Sequence, residues 1–246
     1  MSKLAYAAVF AAASTLLASG ASAETTANFT TNNLFGSVGS ATITVTMPSG
    51  NQGVMSGNTQ GVNAGGFHVT DTISTNNFVA WCVDLLDTLT TPNLGLYTTT
   101  TAPFSDPWSI SSATQTVIKM LFDTSYVNAL TSAVNSAAFQ LALWEIVYEV
   151  PNNTNTYNVS SGNGQFYTTT SGAVANAANA MLANLNGPAV KNFDVTYWQS
   201  NIVGRQDLVT VSEVPLPAAV WLFGSGLVGL GILSRKRRKA AEAAAA

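Results

Sequence analysis

A long uncharged run lies near each end of this chain, so only the stretch between them is free to build a water-facing fold. At the N-terminus Lys3 precedes a run from Leu4 to Leu17, and Ala21-Ser22-Ala23 supplies the small-x-small pattern that signal peptidase accepts, with Glu24 as the first mature residue. No twin arginine and no cysteine stands at that junction, which predicts Sec-type export without an N-terminal lipid. At the other end, Ala218 to Ser234 is free of charge. As a helix rising about 1.5 Å per residue it would span about 25 Å, a little less than a ~30 Å hydrocarbon core. The cluster Arg235-Lys236-Arg237-Arg238-Lys239 follows directly and is held in the cytoplasm by the positive-inside tendency, which puts the body on the outer side of that membrane. An uncleaved anchor is the alternative at either end. These boundaries divide the 246 residues into a signal peptide (1–23), one extracellular domain (24–212), a C-terminal membrane segment (213–239) and an alanine-rich tail (240–246).

Charge narrows the partners of the body. Between Glu24 and Val214 only Lys119, Lys191 and Arg205 are basic, against eleven acids, a net of −8. A phosphate-binding surface needs clustered Lys and Arg to release counterions, so no nucleic-acid partner is expected. Zinc chemistry needs three or four Cys, His or carboxylate ligands, and the chain has one His and one Cys; no metal and no cofactor is expected. Calcium stays open, without EF-hand spacing.

The body reads as mixed α and β. Thr42-Ile43-Thr44-Val45-Thr46 alternates as a half-buried strand does, and Phe78 to Val83 is a continuous apolar run of strand length. Phe67 to Thr70, Leu94 to Thr98, Phe193 to Trp198 and Asp207 to Val211 complete a β-rich set. Helices are predicted over Ser112 to Phe122, Val134 to Glu149 and Ala173 to Leu185, with Pro151 closing the second. Gly50 to Gly66 and Pro151 to Gly172 read as loops, the latter with room for a hairpin around Gly162-Asn163-Gly164.

Enzyme chemistry finds little support. A Ser-His-Asp triad would have to use His68, without a G-x-S-x-G elbow, and a lone His in an alternating strand reads as a half-exposed structural residue. Asp84 with Asp87, or Glu145 with Glu149 at i,i+4, could serve glycoside hydrolysis, but solvated surface acids are the default reading. Gly224-x-Gly226-x-x-Gly229 matches the dinucleotide fingerprint only as a string, inside the C-terminal apolar run. No catalytic residue is assigned.

The lone cysteine carries more. An unpaired Cys in an oxidising compartment is buried and inert, paired with another molecule, or chemically committed. Cys82 lies in Ala80-Trp81-Cys82-Val83-Asp84-Leu85, and a helix 58 residues on carries Phe139-Gln140-Leu141-Ala142-Leu143-Trp144. A Gln among apolar neighbours brings two donors and a carbonyl that each need partners.

Two resemblances follow. Val214-Pro215-Leu216-Pro217, the apolar run and the basic cluster together resemble a PEP-CTERM sorting signal, with Leu216 where the name-giving motif has Glu and with Ala240 to Ala246 beyond the usual basic end. That resemblance implies processing by an exosortase near Pro215 and Pro217. It also implies transient inner-membrane anchoring, then residence at the cell surface or in the biofilm exopolysaccharide matrix of a Gram-negative bacterium. Trp81-Cys82-Val83 with Gln140-Leu141-Ala142-Leu143-Trp144 resembles the internal-thioester adhesin domains, a likeness carried by Phe78 to Glu149. It implies an α+β fold, a β-rich barrel or sandwich body with helices beside it. It also implies a thioester between Cys82 and Gln140, screened from water by Trp81, Phe139, Trp144 and Tyr148. Such a bond would capture an amine- or hydroxyl-bearing surface or matrix target once only, as a reactive binder and not an enzyme. Scarce lysine would limit self-capture; a drift towards low surface charge explains it equally. The alternative function is a non-covalent structural component of the extracellular matrix with an inert, buried Cys82.

Overall fold

Short alternating strands close into a barrel, and a helix buried along most of its length packs beside it. The computed structural model describes residues 25–31, 35, 39–46, 59–85, 87–103, 110–149, 157–161 and 164–214. The signal peptide, Pro215, Leu216, Pro217, the C-terminal apolar run with its basic cluster and tail, and the hairpin position at Gly162-Asn163 lie outside the described residues. In chain order the described elements are β1 (Thr26–Thr30), β2 (Ala41–Thr46), β3 (Thr59–Ala64), β4 (Phe67–Asp71), β5 (Asn77–Cys82), β6 (Asn93–Thr100), α1 (Ser112–Ala129), α2 (Ala133–Tyr148), β7 (Tyr167–Thr168), α3 (Ala173–Ala183), β8 (Phe193–Ser200) and β9 (Leu208–Glu213). The fold is α+β. No helix among the described residues is long and apolar enough to cross a membrane.

Six strands close the barrel in the order β1-β4-β5-β9-β8-β6, every neighbouring pair antiparallel. Successive side chains on a strand point to opposite faces, so each strand splits into a lumen set and an outer set. The lumen is filled by aromatic rings: Phe29 stacks on Tyr97 at 4.9 Å and meets Phe78 and Trp198 edge-on at 5.2 and 5.0 Å. Alternation from Phe78 places Ala80 and Cys82 on that same inner face of β5, with Cys82 at the strand's end. Trp81 therefore points outward, where it packs 4.4 Å from Phe139 of α2 and 6.4 Å from Tyr126 of α1. A three-stranded sheet, β3-β2-β7, stands beside the barrel.

Helix α2 is buried at every position from Ser136 to Tyr148, so its sequence shows no polar stripe. Ser132 caps its N-terminus by accepting from Asn135 N–H at 3.2 Å. Ser136 Oγ, inside the helix, accepts from Gly66 N–H at 2.9 Å and ties the β3–β4 connection to it.

Four elements differ from the sequence reading. The predicted loop Gly50 to Gly66 contains β3, whose one large apolar residue is Val62. β1 had no expected counterpart, and β7 lies in the predicted loop Pro151 to Gly172. α1 runs to Ala129, past Phe122, because the polar Asp123-Thr124-Ser125 step is satisfied within the packed structure. Thr124 Oγ1 donates to Met120 O at 2.8 Å, and Asp123 accepts from Lys119 Nζ at 2.6 Å and from Phe193 N–H at 2.9 Å, pinning α1 to β8.

Candidate functional site

Cys82 closes β5 where its ladder with β9 begins, and the site is built around that junction. Cys82 pairs with Leu208, and Val83 N–H donates to Asp207 O at 3.0 Å. Gln206, the residue before that point, is thereby delivered to the end of the cysteine's own strand.

The structure brings Gln140 to Cys82, and the contact is with the backbone. Gln140 Oε1 accepts from Cys82 N–H at 3.0 Å, and Gln140 Nε2 donates to Cys82 O at 2.8 Å. The side-chain amide satisfies both main-chain groups of a buried residue and acts as a neighbouring strand would, which answers why a helix otherwise apolar keeps a glutamine.

The side chain that meets the thiol belongs to Gln206. Cys82 Sγ lies 2.5 Å from Gln206 Oε1. Sulfur is larger than oxygen, so a thiol hydrogen bond is longer than the ~2.7–2.8 Å of a hydroxyl one. A separation this short is well inside van der Waals contact and holds the sulfur directly against the Gln206 side-chain carboxamide. Gln206 is held on its other sides: Nε2 donates to Asp84 O at 3.2 Å, and its backbone carbonyl accepts from Tyr97 O–H at 3.1 Å.

Both residues are almost covered, Cys82 at 8% and Gln206 at 9% exposure, and both line the floor of an open cleft of about 320 Å³. The cleft walls include Phe67, Leu85, Leu89 and Trp144, and its rim carries Gln60 to Asn63 of β3 and Asp87. Of the four expected screening residues, Trp144 is in this wall. Tyr148 sits deeper, accepting from Leu85 N–H at 2.7 Å and fixing the chain just after Cys82. Trp81 and Phe139 are wholly buried between barrel and helices, on the face of β5 opposite the thiol.

Burial, and next the negative charge of Asp84, pushes the Cys82 thiol well above its usual range. A neutral sulfur is therefore strongly favoured here, whether as thiol or as acyl derivative. Asp84 is itself buried, and desolvation raises its carboxyl to about 7. Its two oxygens accept from Asp207 N–H at 2.7 Å and Asp87 N–H at 3.1 Å, so it clamps the turn after Cys82 to the residue after Gln206.

Three of the four carboxylates expected to be solvated surface acids are in fact buried, Asp84 at 1%, Glu145 at 0% and Glu149 at 6% exposure, while Asp87 is half-buried. They are inside because loop amides need acceptors. Glu145 Oε1 accepts from Asn158 N–H at 2.7 Å, and Glu149 Oε2 from Gln165 and Phe166 N–H at 2.7 and 3.0 Å. His68 sits half-buried in β4 opposite Val79. The two body lysines are engaged in ion pairs, Lys119 with Asp123 and Lys191 with Glu213. Among the described residues, no group of three or more His, Cys, Asp or Glu converges as a metal site.

Nothing in the sequence motifs pointed to Gln206. It stands between a polar turn and an apolar strand, and only the β5–β9 pairing, which joins positions 124 residues apart, reveals its place.

No protein-family model matches the chain, and no curated protein does. Two solved structures are similar to part of it. One is the N-terminal domain of the Streptococcus pyogenes pilus tip adhesin Cpa, with TM-score 0.39 and 13% identity over 62% of this chain and 84% of that one. The other is the N-terminal thioester domain of a surface protein from Clostridium perfringens, with TM-score 0.40 and 12% identity over 71% of this chain and all of that one.

Proposed function

We propose that this chain is an exported surface or matrix protein that binds its target covalently through an internal thioester between Cys82 Sγ and the side-chain carbonyl carbon of Gln206. The observation that carries the reading is the 2.5 Å approach of Sγ to Gln206 Oε1 at the floor of an open cleft. In forming the bond, Sγ adds to the Gln206 carbonyl carbon, the bond from that carbon to Nε2 breaks, and the thiol proton leaves with the nitrogen as ammonia. The Asp84 carbonyl already holds Nε2. In capture, an incoming amine attacks the acyl carbon, the carbon–sulfur bond breaks, and a proton returns to Sγ. The target is then an amide on residue 206. Each molecule reacts once, so this is a binder and not an enzyme. Gln140 positions Cys82 through its backbone, and Trp144 covers the cleft side, limiting hydrolysis before a nucleophile enters.

The test is an intact mass of the mature protein secreted by cells expressing the full chain. The reading expects a mass short by one ammonia, converted by methylamine to an adduct, and absent from Cys82→Ala. An unmodified mass, with a thiol that reacts freely after denaturation, favours the matrix protein with an inert cysteine. The burial of Cys82 and its raised pKa are the features that suit that second reading.

Sorting by an exosortase, transient anchoring in the inner membrane and residence at a Gram-negative surface or in its matrix are part of the same proposal, supported by the C-terminal motif. Replacing both Pro215 and Pro217 with alanine is expected to leave the product in the membrane fraction. Release equal to that of the unmutated chain, measured by fractionation and immunoblot, would sink the sorting claim.

A further inference from the structure

A strand that shows a face to a cavity contributes every second residue, because its side chains alternate. β3 instead contributes four in succession to the thioester cleft: Gln60, Gly61, Val62 and Asn63. Consecutive residues reach one cavity when the strand presents its edge. β3 is the terminal strand of its sheet, paired on one side only, with β2.

The register says which backbone groups that edge offers. Thr44 of β2 turns its carbonyl towards β7, accepting from Thr169 N–H at 3.0 Å, and its N–H donates to Thr170 Oγ1 at 2.8 Å. Ile43 and Val45 therefore face β3, and their partners Val62 and Gln60 face back. The N–H and C=O of Gly61 and Asn63 then point away from β2, along the open edge. Among the described residues no backbone hydrogen bond reaches that side of β3.

Gly61 supplies an independent observation. Glycine in a strand interior weakens the strand and marks places where another backbone comes close. A Cβ at Gly61 would meet no atom within 4 Å, so no close packing among the described residues requires glycine there.

We infer that the covalent target enters as an extended polypeptide segment that adds to the edge of β3, pairing with Gly61 and Asn63 and carrying a lysine into the cleft beside Cys82 and Gln206. Main-chain pairing of this kind gives affinity without demanding one sequence, and the side chains that fall into the cleft give selectivity. The cleft suits the cation of a lysine: among its described lining residues the charged one is Asp87, and none is basic. The inference rests on the thioester reading for its covalent step and stands apart from it in its docking step.

Two experiments separate these steps. In the first, the Cys82→Ala protein is titrated with a synthetic peptide of alternating threonine and valine around one lysine, followed by amide resonances and hydrogen exchange. Gly61 and Asn63 N–H are expected to shift and to exchange about tenfold more slowly, the worth of one or two net hydrogen bonds. The same peptide with alternate amides N-methylated is expected to do neither. No response, or an equal response to the methylated peptide, overturns the docking.

In the second, the unmutated protein is reacted with the peptide and with methylamine. The peptide is expected to react about tenfold faster per amine. Gly61→Pro, which removes the outward N–H and fixes φ at that position, is expected to erase that advantage, read as the ratio of the peptide rate to the methylamine rate in the same variant. A peptide advantage that survives Gly61→Pro overturns the inference. Absence of any methylamine adduct instead defeats the thioester reading, and the first experiment still judges the edge.

Discussion

Gln206→Ala abolishes the methylamine adduct completely, while Gln140→Met leaves the adduct site in place and weakens the fold. The two glutamines are expected to separate in this way because they touch different parts of the same cysteine. Gln206 holds a carbonyl against Sγ, so its loss removes the acyl carbon itself. Gln140 satisfies the N–H and the C=O of Cys82, both buried. Methionine fills a similar volume and supplies neither a donor nor an acceptor of comparable strength, which strands two main-chain groups at a cost of about 1–3 kcal/mol each. Urea denaturation should show that loss as a lower midpoint. Fragmentation of the methylamine-treated protein should place the new amide on residue 206. An amide found on residue 140 would reverse the roles of the two side chains.

Raising the pH from 5 to 9 destabilises the protein, and Glu145→Gln removes much of the effect. Burial raises Glu145 from 4.5 to about 8, with the nearby Glu149 adding to the shift and the Asn158 N–H opposing it. Asp84 moves from 3.8 to about 7 for the same leading reason. In both cases the folded state keeps a proton that the unfolded chain has released. The stabilisation is therefore complete below about pH 4 and is lost as pH rises through 7 and 8. Glu145→Gln keeps an oxygen for Asn158 N–H and stays neutral throughout. It should melt close to the unmutated protein at pH 5 and well above it at pH 9, a gap on the order of a few kcal/mol. Thermal melts at pH 5, 7 and 9 measure it. A parallel fall in both proteins would show that Glu145 is not the group that titrates.

Local pattern and long-range pairing contributed unequally to what could be read beforehand. The strands around Ile43, Val69 and Val209 and the helix holding Gln140 announce themselves because alternation, or a long apolar run, survives in the sequence. β3 does not: it is an exposed edge with a glycine at its centre, so its order comes from pairing with β2 and not from its own residues. Cys82 stood out as the only cysteine, and Gln140 as a polar residue in an apolar helix. Gln206 had neither mark. Its importance comes from lying one residue from a ladder that joins distant parts of the chain, and no local pattern encodes a partner 124 residues away.

The position of β9 has a mechanical consequence. A target joined at Gln206 sits at one end of this strand, and the segment that would tether the protein leaves from the other end at Val214. Tension between a captured target and the cell would thus run through nine residues of covalent backbone, flanked on both sides by β5 and β8. The lumen aromatics, the three helices and the β3 sheet all lie off that line. Attachment through Gln140 would have sent the same force through the end of α2, β7, α3, β8, β9 and the loops between, pulling the domain apart as it bore load. With Gln206 as the anchor, the protein could hold under shear without unfolding, as a rope runs through a pulley block without straining its casing.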